Sequence, residues 1–129
     1  TPPVISYIPA LEFMRHLCGA YDDPSRGSEL LVWPCGYGVG LDLRQQGKSQ
    51  LTAIVGAHRQ DIECFALFGL PNVFRLVGVL ASKASVEFTG SDNPFGMSLA
   101  RDAEDVTLIV SYEGAPKATY TLRKRIGEA

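Results

Sequence analysis

Arg59-Gln60-Asp61-Ile62-Glu63-Cys64-Phe65-Ala66-Leu67-Phe68-Gly69-Leu70-Pro71-Asn72-Val73-Phe74-Arg75-Leu76-Val77-Gly78-Val79-Leu80-Ala81-Ser82-Lys83 is the stretch on which the fold turns. Two periods fit it. Ile62, Phe65, Ala66 and Gly69 recur at helical spacing, and Val73, Leu76, Val77 and Leu80 follow i, i+3, i+4, i+7. Both halves also alternate as strands, and their Phe and Val content favours β structure. The helical period is adopted for both, with Leu70-Pro71-Asn72 as the break between them. This predicts an α+β fold, in which an N-terminal helix and a middle helical segment pack on an antiparallel β-sheet. Reading the same stretch as strands gives the alternative, a mainly-β barrel or sandwich with one terminal helix.

Upstream, a helix is expected from Pro9 to Ala20. Proline suits its first position because the N–H it lacks would have had no partner there. Ala10, Phe13, Met14, Leu17, Cys18 and Tyr21 form its apolar stripe, and a loop is expected from Tyr21 to Gly27. Leu30 to Trp33 reads as a short strand. From Val39 to Arg44, Val39, Leu41 and Leu43 alternate with Asp42 and Arg44, as a half-buried antiparallel strand requires. Gln45 to Lys48 reads as a hairpin turn. Leu51 to Ala57 is apolar on both faces and is placed in the centre of the sheet.

Downstream, strands are expected at Val86–Thr89, Phe95–Leu99, Val106–Tyr112 and Lys117–Ile126. Gly90–Pro94, Arg101–Asp105 and Glu113–Pro116 supply the turns between them. Residues 1–8 read as a linker or extended arm, 9–126 as one domain and 127–129 as a tail. The opening Thr1-Pro2-Pro3-Val4, without an initiator Met, carries the expectation of a domain excised from a longer protein.

The chain has 129 residues, of which 46% are hydrophobic and 20% charged, so it is long and apolar enough for one globular core. Thirteen Gly and eight Pro favour many short elements joined by turns. A net charge of −2 lacks the cationic excess of a dedicated duplex-binding protein. No 18-residue apolar run predicts a membrane helix. Three widely spaced cysteines imply no complete disulfide framework, which points to the cytoplasm or another reducing compartment.

Each chemical motif has a plainer competitor. Gly36-Tyr37-Gly38-Val39-Gly40 resembles a phosphate loop only in its glycines, because a strand rather than a helix N-terminus follows. His16 and Cys18 stand about 200° apart around a helix and cannot grip one ion; no metal and no cofactor is expected. Cys35, in a glycine-rich turn, and His58, at a strand end, are the two weak catalytic candidates, a thiol and a base that nothing in the sequence brings together. The acidic groups at Asp22-Asp23, Asp61/Glu63 and Asp102/Glu104/Asp105 read as turn and cap residues.

Charge is sharpest at the C-terminus. Four cations face one carboxylate between Lys117 and Ala129, whereas Arg101 to Glu113 holds four carboxylates and one cation. Cross-strand neutralisation and protection of an exposed edge strand both explain this better than nucleic-acid binding. The preferred function is a non-catalytic protein–protein interaction or assembly module, paired with a protein partner or with itself. Lys117, Arg123, Arg125 and Trp33 are its binding candidates, and the strand Lys117–Ile126 offers main-chain pairing. A small enzyme or ligand-binding protein with a helix–sheet pocket is the first alternative. Single-stranded nucleic-acid binding on the basic strand is the second.

Overall fold

The structure, a computed structural model, describes residues 8–125. It is a closed antiparallel barrel of ten strands with one short helix, the alternative architecture rather than α+β. The helix α1 (Pro9–His16) is followed by β1 (Gly19–Asp23), β2 (Ser28–Cys35), β3 (Gly38–Gln45), β4 (Lys48–His58) and β5 (Asp61–Leu67). The remaining strands are β6 (Phe74–Ser82), β7 (Ser85–Gly90), β8 (Phe95–Asp102), β9 (Asp105–Tyr112) and β10 (Ala115–Lys124). Each strand pairs with its predecessor, and β1 meets β10 to close the ring. Of the expected arm only Ile8 is described; it is buried, and its carbonyl accepts the Glu12 N–H at 3.0 Å. The expected tail lies outside the described residues.

The middle helices are the main correction. Asp61–Leu67 and Phe74–Ser82 are strands, paired Ile62 to Gly78, Cys64 to Leu76 and Ala66 to Phe74. Burial decides the period: Ile62, Cys64, Ala66 and Leu76 are sealed inside. Of the helical stripe Val73, Leu76, Val77 and Leu80, only Leu76 is buried, while Val73 and Leu80 are exposed. A helix here would also have left β4 and β7 unpaired, whereas β5 and β6 satisfy both ladders.

The N-terminal helix starts at Pro9 as expected but ends four residues early. Glu12 sits in its first turn and Arg15 and His16 in its last, each on the favourable side of the helix dipole. Gly19 to Asp23 becomes β1 instead, so Tyr21 leaves the helix stripe and points into the barrel. Its hydroxyl donates to the Leu17 carbonyl at 2.7 Å. The hairpin turns at Gln46-Gly47 and Glu113-Gly114 each place two successive residues at positive φ. That is the mirror-image turn whose twist matches paired strands, and Gly at its second position takes the strain away.

Inward-facing side chains are almost all apolar: Leu30, Leu41, Leu51, Leu99, Leu108 and Leu122 are fully buried. α1 plugs one mouth, with Met14 and Leu17 sealed against the core and contacts to β3, β5, β6 and β7. Phe68, Phe74, Phe95 and Tyr112 close the other. Phe95 stacks on Phe68 at 4.5 Å and meets Tyr112 edge-on at 5.2 Å. An apolar interior under a mixed outer face is the reverse of the polar lumen and apolar belt of membrane-spanning barrels. Among the described residues no helix is long and apolar enough to cross a membrane.

Candidate functional site

Because side chains alternate across a strand, the barrel has an outward row for every inward one. Register places Trp33 opposite Gly40, Gly40 opposite Ile54, Ile54 opposite Phe65 and Phe65 opposite Arg75. These five residues make one level line across β2 to β6, on the outside of the barrel. Three of them are large and apolar, yet Trp33 is 41%, Ile54 57% and Phe65 48% exposed. A Cβ on Gly40 would fall 2.4 Å from the Trp33 ring. The indole therefore lies directly over the glycine backbone, held there before any partner arrives.

The surroundings of this row are also apolar. Val79 is exposed on the outer face of β6, and Tyr37 in the turn between β2 and β3. Charges fringe it in a satisfied cluster: Arg75 Nε donates to Glu63 at 2.9 Å, and His58 Nδ1 lies 3.5 Å from the same carboxylate oxygen. Below the row, the buried Asp42 carboxylate accepts from Arg44 Nε at 2.7 Å, Ser49 Oγ at 3.1 Å and Thr52 Oγ1 at 3.3 Å. Its charge is thereby matched and hydrogen-bonded, as a buried carboxylate must be.

Trp33 is thus the sequence candidate that the structure sets among other large side chains. Cys35 and His58 end neighbouring turns at the helix-plugged mouth, but no hydrogen bond joins them; His58 faces Glu63. Cys35 is exposed. Cys64 is sealed in the core, where burial and then the neighbouring Glu63 charge push its thiol up to about 12. Burial also raises Cys18. Among the described residues no group of three or more His, Cys, Asp or Glu is placed to hold a metal ion.

The C-terminal end of the basic strand is not a free edge, which corrects the edge-protection reading for Arg123 and Arg125. β10 pairs with β9 along its length and with β1 at its end. Arg125 donates to both oxygens of Asp22, at 2.8 and 2.6 Å, and to Glu29 at 2.5 Å. These hydrogen bonds hold the Asp22 carboxyl below its ordinary range. Arg123 is exposed and stands in register between Asp22 and Asp105. Lys117 is exposed at a bulge between Pro116 and Ala118.

Ile54 and Phe65 were missed from sequence. The expectation that Leu51 to Ala57 lies in the centre of the sheet rests on both its faces being apolar. Its outer face is instead uncovered, and that double apolarity was the available signal. Comparison with protein-family models, curated proteins and solved structures gives no significant match.

Proposed function

We propose that this chain is a non-catalytic protein–protein interaction or assembly module that docks through the outer face of β2–β6. The observation that carries this reading is the aligned, exposed row Trp33, Ile54 and Phe65. A contiguous apolar patch rimmed by polar groups is how docking surfaces look on otherwise polar proteins. Aromatic residues and Arg are the side chains that dominate interface energetics, and Trp33, Phe65 and Arg75 lie in one line. Seating the indole on Gly40 lowers the ordering entropy lost on binding. The complementary partner surface is apolar at its centre, with charges placed to meet Glu63 and Arg75.

The double substitution Ile54→Ser with Phe65→Ser tests this. Sedimentation across a wide concentration range reads self-association, and cross-linked capture in native cells reads a different partner. The substituted chain, with its circular dichroism unchanged, is expected to lose whichever association the native chain shows. Association that survives the double substitution, or a native chain that neither self-associates nor captures a protein, overturns the proposal.

A further inference from the structure

The barrel ring is complete in order but not in length. β1 has five residues, and its register with β10 covers only Tyr21 to Lys124 and Asp22 to Arg123, extended by the Arg125 N–H donating to the Ala20 carbonyl. Beyond Asp23 the chain turns away. The Arg26 N–H returns to the Asp23 carbonyl and the Gly27 N–H to that of Pro24. Among the described residues, the N-terminal half of β10 therefore has β9 hydrogen-bonded on one side and no hydrogen-bonded strand on the other, although β2 approaches β10 there.

Antiparallel ladders alternate the side to which a residue's N–H and C=O point. The Arg125 N–H reaches β1, so by this alternation Arg123, Thr121 and Thr119 turn the same way. The Thr119 carbonyl confirms the phase, because the Arg26 guanidinium donates to it at 3.0 Å. Continuing the β1 register would set Pro24, which has no N–H, opposite Thr121. That leaves the Thr119 N–H and both backbone groups of Thr121 without a strand partner among the described residues, and Thr119 borders a groove. Its volume is about 460 Å³, and Arg26, Gln45, Lys117 and Thr119 line it with Ala118 and Tyr120. Two cations and no carboxylate border it.

We infer that this seam binds an extended acidic peptide segment, which adds a short strand to β10 where β1 stops. The peptide's N–H groups and carbonyls meet Thr119 and Thr121. Its outward carboxylates meet Lys117 and Arg26, whose guanidinium leaves the Thr119 carbonyl as the peptide N–H replaces it. Arg26 meanwhile keeps the edge occupied when no peptide is present, which protects the chain from unwanted strand pairing. The inference is independent of the β2–β6 face and does not need it.

Amide exchange by NMR tests the edge directly. In the free protein Thr119 and Thr121 are expected to exchange at least a hundredfold faster than Tyr120 and Leu122, whose N–H groups face β9. Equal protection of all four would overturn the inference. The binding probe is a labelled decapeptide of alternating valine and glutamate, which is expected to slow Thr119 and Thr121 exchange at least tenfold. Three controls bear on it: the same peptide N-methylated at alternate residues, one with lysine for glutamate, and the Thr121→Pro protein. Proline at an N–H that faces outward is compatible with a strand. Should Thr121→Pro disturb the circular dichroism, Lys117→Glu with Arg26→Glu replaces it. Each control is expected to bind at least tenfold more weakly than the native pair. Binding unaffected by N-methylation or by charge reversal sinks the inference, as does no binding of the acidic peptide at millimolar concentration. Ile54→Ser with Phe65→Ser leaves the peptide affinity unchanged if the two surfaces are separate.

Discussion

The face formed by β2–β6 and the face formed by β7–β10 enclose the same interior and differ outside. Inward, both supply sealed aliphatic side chains: Leu41 and Leu51 from one, Leu99 and Leu108 from the other. Outward, β7–β10 presents Glu87, Thr89, Ser98, Thr107, Thr119 and Thr121, whereas β2–β6 presents Trp33, Ile54 and Phe65. Closing a barrel needs only the inward row. The second face thus carries exposed apolar side chains beyond those that fill the interior, and on these the proposed docking role rests.

The sharpest way to break this comparison is to test the interior for equality. Leu41→Ala and Leu108→Ala should each cost about 2–5 kcal/mol of stability, because both leave a cavity in a sealed core. Urea midpoints check this, and markedly unequal losses would mean the two faces do not share one core. Gly40→Ala comes next, at about 1–3 kcal/mol, since the new methyl collides with the Trp33 ring. Trp33 is the only tryptophan, so a red shift of its emission reports the displaced indole, and association should weaken in parallel. Ile54→Ser, at a site more than half exposed, should change stability by about 1 kcal/mol or less while abolishing association. Thr107→Ser on the other face should alter neither.

The smallest expected effect lies at the seam between the faces. The Asp22 carboxyl is held low by its hydrogen bonds to Arg125, so its contribution is complete above the ordinary aspartate range. It is lost as pH falls through the depressed native value, below about pH 4. Both partners are largely solvated, which keeps the effect small. Acid titration of thermal midpoints should show a slightly shallower fall for Asp22→Asn than for the native chain.

The same difference between the faces explains what could be read from the sequence. In β7–β10 and in β3, polar or small residues fill most outward positions, with Ile109 the apolar exception, so alternation stands out, and the strands and turns from Val86 onward emerge directly. In β5 and β6 the outward positions hold Phe65, Val77 and Val79. Filling the polar slots with apolar side chains erased the two-residue period and let a helical stripe fit. The residues that make the candidate surface are those that concealed its strands. Trp33 was legible as a binding candidate because of its type, but its alignment with Ile54 and Phe65 depends on register across four strands. The gap beside β10 had one trace, Pro24, which ends β1 early. No local pattern signals that Gly19 to Asp23 would close a ring.

That closure has a kinetic consequence. Every other strand pairing joins neighbours in the chain and can form by zipping one hairpin onto the next. The β1–β10 pairing, tied by Arg125 and Asp22 across 103 positions of sequence, waits until the rest is built and then closes the longest loop in the molecule. Refolding should therefore end, and unfolding begin, with this short zipper snapping shut or springing open.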